Sequence, residues 1–198
     1  MTRLLLRLTV AGAENVPPDG AALLTMNHLG GADPVLVLAH APRRVVAVGK
    51  AEALRWPLIG WVLRTYGMVP LHRGQPDRAA LANLLSALAA SGAVLIAPEG
   101  RESRTGALEA GQGGAAFLAQ HSGAVIVPVA VTGTAWRWLL PAWRRLRRPC
   151  VTLTFGAPYH LSGALQRSAA TNEIMLHIAA LLPVGYRGVY ADTMQLIE

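Results

Sequence analysis

Residues able to do chemistry cluster first in Thr25-Met-Asn-His-Leu-Gly-Gly-Ala-Asp-Pro34, where a histidine and an aspartate lie five positions apart across two glycines. An apolar run, Ala21 to Leu24, leads into Asn27-His28, and Asp33-Pro34 opens a second, Val35 to Ala39. Asp is a favoured helix N-cap and Pro suits the first helical position, so the stretch reads as strand, tight loop, helix. Such a loop lifts His28 out of a sheet, with Gly30 and Gly31 free to turn the backbone sharply, and returns Asp33 toward the imidazole. A carboxylate bonded to one ring nitrogen fixes the tautomer and leaves the other nitrogen ready to accept a proton. With no Ser or Cys paired to it, this couple suits a base that deprotonates a hydroxyl of the substrate. The same residues also fit a helix-capping aspartate beside an ordinary loop histidine, and the rest of the chain has to separate the two.

The elements that must position this pair follow in order. Residues 1–20 form a short lead-in with turn chemistry at Asn15-Val-Pro-Pro-Asp-Gly20. Arg44–Val48 is a buried-type strand ending at Gly49-Lys50, and Leu54–Arg64 a helix with Pro57 near its start. Gly67–Arg73 holds a short strand, and Asp77 caps an alanine- and leucine-rich helix running to Ala90. Ala93–Ala97 is a central strand stopped by Pro98-Glu99-Gly100, after which a glycine-rich loop reaches Gly114. Ala115–His121 reads as helix, Ala124–Val131 and Val151–Phe155 as strands, and Thr171 as the cap of a final helix, Asn172–Leu182. Strands alternating with helices predict a single-domain α/β fold over residues 1–198, with a mostly parallel or mixed central sheet flanked by helices. Ligands in such sheets bind where loops gather at strand ends. The loops after three strands carry His28 and Asp33, then Lys50, then Glu99 and Arg101, while Arg73 ends a fourth.

Composition narrows the partners. The 198 residues are 53% apolar and 15% charged, with net charge +7. Lys50 is the only lysine, so the basic residues are almost all arginine. An arginine-rich, greasy, basic chain admits nucleic acid or an anionic membrane, and no zinc-finger spacing or aromatic RNA-binding signature favours the former. No apolar run is long enough to predict a transmembrane helix, and Arg7 interrupts any signal-peptide core. Cys150 is the single cysteine, read as structural at a strand start, so an intrachain disulfide is excluded, and no metal-ligand cluster is visible.

Taken together, these blocks resemble the glycerolipid acyltransferase family typified by bacterial 1-acyl-glycerol-3-phosphate acyltransferases. Asn27-His28 through Asp33 resembles its His-x4-Asp block, Gly67–Arg73 the second, Pro98-Glu99-Gly100 the start of the third and Val127-Pro128-Val129 the fourth. The tail, Leu182–Tyr190, is also similar. The resemblance implies a glycerol-3-phosphate acyltransferase-like fold in which His28 activates the acceptor hydroxyl and Asp33 orients it. It further implies an acyl-CoA or acyl-carrier protein donor, no bound cofactor, and a lysophosphatidic acid-like acceptor contacted by Asn27, Lys50, Arg73, Glu99, Gly100 and Arg101. The third block departs from the family's Glu-Gly-Thr-Arg-Ser: Glu99-Gly-Arg-Glu-Ser103 brings the arginine one place early and an acid behind it. The acceptor could therefore be another lysophospholipid or a lyso-aminolipid, and a non-catalytic lipid-binding protein is the remaining alternative.

Trp136–Arg148 combines three tryptophans with five arginines. That composition suits either an interfacial segment on anionic lipid or a basic helix whose tryptophans pack inward. Trp56, Leu58, Ile59 and Trp61 suggest a second apolar contact, an acyl-chain lining or core packing. With about twenty residues before the first strand read here, the expectation is a peripheral, monotopic protein on the cytoplasmic face of a membrane.

Overall fold

The computed structural model describes residues 5–51, 67–71, 78–163 and 165–196, with the side chains of Lys50 and Leu71 left aside. The expected helix over 54–64 with its Trp56, Leu58, Ile59 and Trp61, the Asp77 cap and Arg73 lie outside the described residues.

Seven strands form one sheet: β1 Arg7–Ala11, β2 Ala22–Met26, β3 Val45–Lys50, β4 Val69–Leu71, β5 Ala93–Ile96, β6 Val125–Thr132 and β7 Cys150–Phe155. Their order is β1-β7-β6-β2-β5-β3-β4. β6, β2, β5, β3 and β4 run parallel, and β7 turns back antiparallel to β6 with β1 parallel to it. The sheet is therefore mixed around a parallel block, as the strand–helix alternation predicts. The described helices are α1 Ala32–His40, α2 Arg78–Ala89, α3 Gly114–Ser122, α4 Trp136–Arg144, α5 Arg167–Leu181 and α6 Ala191–Gln195.

Strands buried on both faces give near-continuous apolar runs, because alternate side chains enter different layers. Leu23, Val94 and Ile126 point into a core with Leu84 and Leu88 of α2, Leu118 of α3 and Ile174 and Ile178 of α5. Leu24, Leu95, Val127 and Phe155 form the opposite core with Val37 of α1. A small third cluster joins Leu36 of α1, Leu139 of α4, Leu6 and Val151.

Three expectations shift. The lead-in contains a strand, β1, which pairs with β7 from Arg7↔Cys150 to Ala11↔Thr154. The last helix starts at Arg167, with Thr171 inside it and its Oγ1 donating to the Arg167 carbonyl one turn back. Asp33 does not cap α1: Gly31 holds that position, and Asp33 lies within the first turn. Cys150 opens β7 as expected, but is exposed.

Candidate functional site

The parallel block brings the C-terminal ends of β2, β5, β3 and β4 to one edge. Thr25 on β2 lies opposite Ile96 on β5, so the chain beyond each strand emerges beside the other. His28 follows β2 by two residues, and Glu99 follows β5 by three. Lys50 ends β3 on the same edge.

Asn27 extends the β2–β6 ladder with its side chain. Its Nδ2 donates to the Val131 carbonyl at 2.8 Å, and its Oδ1 accepts from the Val131 N–H at 2.7 Å. The residue is 1% exposed, and the two bonds anchor the loop to β6.

His28 and Asp33 meet. Asp33 Oδ2 lies 3.0 Å from His28 Nδ1, and also accepts from the Leu29 N–H at 2.6 Å and the Gly30 N–H at 2.8 Å. An oxygen that already accepts two amide protons is an acceptor for the ring too, which assigns the hydrogen to Nδ1 and a lone pair to Nε2. No described residue bonds Nε2. Asp33 is fully buried, and its Oδ1 has no partner. A desolvated carboxylate with one oxygen unsatisfied gains when the ring beside it becomes positive.

Of the two glycines, Gly30 is the one that space requires. Gly31 has φ −58°, within the ordinary right-handed region. A Cβ on Gly30 would stand 2.8 Å from the Thr134 carbonyl oxygen, so a side chain there would push the histidine loop off the segment that links β6 to α4.

Glu99 is 4% exposed and locks two loops together. Its Oε1 accepts from the His28 N–H at 2.9 Å and its Oε2 from the Glu109 N–H at 2.8 Å. Burial pushes its carboxyl up from 4.5 to about 7, against the two amide bonds and the nearby histidine that pull it down. Both oxygens are thus engaged by backbone, which makes Glu99 a positioning residue for His28. Gly100 turns the chain behind it at φ +71°. The loop then folds over the histidine, with the Ser103 N–H donating to the His28 carbonyl at 2.6 Å.

Arg101 is bound by Glu109, whose other oxygen accepts from the Arg104 N–H at 2.7 Å. That amide, then Arg101, holds the Glu109 carboxyl below its ordinary value. Arg101 therefore carries its own counter-ion. Arg73 and the Lys50 side chain lie outside the described residues.

Two neighbours of the histidine loop are not evident from the pattern His-x4-Asp. A Cβ on Gly31 would lie 3.7 Å from both Glu102 Oε1 and Trp136 Cζ2, and Glu102 forms no ion pair or hydrogen bond among the described residues. The sequence offers Trp136 only as part of an aromatic and basic segment, and nothing in spacing links residue 136 to residue 31. Among the described residues no group of three His, Cys, Asp or Glu side chains could hold a metal ion.

Residues 7–132 match the Acyltransferase family model. A chloroplast 1-acyl-sn-glycerol-3-phosphate acyltransferase of Arabidopsis thaliana is 29% identical over 131 residues, 65% of this chain and 36% of its own length. The 1-acyl-sn-glycerol-3-phosphate acyltransferase of Borreliella burgdorferi is 26% identical over 65% of this chain and 52% of its length. A lyso-ornithine lipid O-acyltransferase of Pseudomonas aeruginosa is 27% identical over 87% of this chain and 62% of its length. The chain thus spans roughly one third to two thirds of these relatives. The crystal structure of the 1-acyl-sn-glycerophosphate acyltransferase from Thermotoga maritima superposes with TM-score 0.71 at 20% identity, over 96% of this chain and 75% of that one, and shares the fold.

Proposed function

The chain belongs to the Acyltransferase family, and from that premise we propose that it moves a fatty acyl group from a thioester donor to the free hydroxyl of a lysolipid. The observation that carries the mechanism is the buried His28–Asp33 pair with Nε2 unbonded. Nε2 takes the proton of the acceptor hydroxyl, and the oxygen attacks the thioester carbonyl. The C–O bond forms, the C–S bond breaks, and the imidazolium returns the proton to the departing thiolate. Asp33 steadies the positive ring during the interval, and the Leu29 and Gly30 amides keep Asp33 aimed. No acyl-enzyme is required. The donor is acyl-CoA or acyl-carrier protein, and the work is done at the cytoplasmic face of a membrane, where donor and lysolipid meet.

The leading acceptor is lysophosphatidic acid-like, on the strength of relatives named for 1-acyl-sn-glycerol-3-phosphate. Its phosphate falls to Lys50 and Arg73, since Arg101 would have to leave Glu109 to join them. Glu102 favours a second reading that changes only the acceptor. A carboxylate beside Gly31 of the histidine loop, with no partner among the described residues, repels a phosphate and suits an ammonium-bearing headgroup. A relative named for lyso-ornithine lipid fits that reading.

The deciding experiment incubates the purified protein with an acyl-CoA or an acylated carrier protein and a panel of lysolipids, and identifies products by mass. Acylation of lysophosphatidic acid supports the first acceptor, and of an amine-bearing lysolipid the second. No acylated product with any acceptor contradicts the reading.

A further inference from the structure

We propose that α4 and the turn after it, Trp136–Arg148, rest on an anionic lipid surface and set the mouth of the His28 site against it. The helix packs inward through few residues. Leu139 is 1% exposed, and half-buried Trp143 donates its Nε1–H to the Leu5 carbonyl at 3.1 Å. Trp143 is held inward and Trp136 leans one edge on the histidine loop, which leaves Trp138 with no such contact and much of Trp136 open. Trp136, Trp138 and Leu140 remain 44%, 58% and 48% exposed.

Charge selects the surface. Arg137, Arg144, Arg145, Arg147 and Arg148 are all exposed, and no acidic residue occurs between Trp136 and Pro149. At helical spacing Arg137 and Arg144 share the outward side, with Trp136 and Leu140 along one edge and Trp138 on the other. Arginines that reach phosphates while aromatic rings sit at headgroup depth make an interfacial helix rather than an embedded one.

The turn carries a separate signal. Leu146 is 96% exposed and held at φ +52°, a left-handed conformation that costs a leucine energy. A strained apolar knob between Arg145 and Arg147 is a liability in water and an anchor in lipid. A nucleic acid would use the arginines and leave Leu146 and Trp138 without a purpose.

The same helix touches the site. The Trp136 indole stands beside Gly30 and Gly31, and Arg137 Nη2 donates to the Thr105 carbonyl at 3.0 Å in the loop that covers His28. A surface held by α4 therefore presents lysolipid directly at the base.

This inference goes beyond acyl transfer, and its test reads partition rather than turnover, so it survives if no acceptor is found. Phosphatidylcholine vesicles, with and without phosphatidylglycerol, are sedimented with wild-type protein, with the triple variant Arg144→Gln/Arg145→Gln/Arg147→Gln, and with Leu146→Ser. The triple variant is expected to bind the anionic vesicles on the order of a hundredfold more weakly. Leu146→Ser is expected to bind them roughly tenfold more weakly. Melting temperatures should not change, because all four side chains are exposed. Equal binding by wild type and triple variant, or binding indifferent to phosphatidylglycerol, overturns the proposal. So does tighter binding to duplex DNA than to anionic vesicles with no effect of Leu146→Ser.

Discussion

At the scale of single residues, the site is held by side chains that bond to backbone. Asn27 is spent on Val131, Glu99 on His28 and Glu109, and Asp33 on Leu29 and Gly30 as well as the imidazole. Glu99 makes this testable through pH. Its folded carboxyl titrates near about 7 against an ordinary 4.5, so the folded state holds the extra proton between those values and stability falls as pH rises through that window. The loss is on the order of 3 kcal/mol, complete above the folded value. Glu99→Gln removes the titration, so the gap in unfolding free energy between wild type and variant should narrow from acid to neutral pH in urea melts. Parallel curves would show that Glu99 does not carry the shift. The His28–Asp33 partnership was legible in the sequence because a short loop and a helix start confine the two. The engagement of Asn27 and Glu99 was not, since a bond from side chain to distant backbone leaves no periodic mark.

At the scale of elements, the parallel block was legible from short apolar runs such as Ala93-Val-Leu-Ile96, which, bounded by Gly92 and Pro98, suit a strand covered on both faces. β1 was not, because Arg7-Leu-Thr-Val-Ala11 is short, half exposed and dependent on β7 for its partner. Thr171 misled for a local reason: a threonine hydroxyl bonds as readily to a carbonyl one turn back as to an amide ahead. α4 deserves its own experiment, since Leu139 fixes it on Leu6, Leu36 and Val151. Leu139→Ala should cost about 2–5 kcal/mol in chemical denaturation. It should also loosen Trp136 from the histidine loop, lowering acyl transfer with the fold retained. A change well under 1 kcal/mol, with activity intact, would mean that the helix is held by its ends instead.

At the scale of the whole molecule, net charge +7 is unevenly placed, with five arginines in the thirteen residues of Trp136–Arg148. Among the described residues no helix is long and apolar enough to cross a membrane. Attraction to an anionic surface then depends on screening. Raising salt from about 0.05 M to about 0.5 M, which shortens the Debye length from roughly 14 Å to 4 Å, should release the protein from anionic vesicles. The kcat for acyl transfer at saturating detergent-dispersed lysolipid should change little over the same range, because the His28–Asp33 pair is buried. Vesicle binding that ignores salt would assign the association to apolar contact alone. The charge itself was legible from composition, whereas its position beside the base was not, because the folding that sets residue 136 against residue 31 runs through the whole sheet.

The central claim is that one ring nitrogen of His28 takes the acceptor's proton. The direct measurement compares acyl transfer by wild-type protein and His28→Ala at saturating acyl-CoA and lysolipid, with melting temperature recorded for both. The expected result is a fall in kcat of about 10²–10⁴-fold for loss of a general base, with near-unchanged melting, because the backbone bonds from Asp33, Glu99 and Ser103 that hold the loop do not use the imidazole. A variant that turns over within a few-fold of wild type would contradict it.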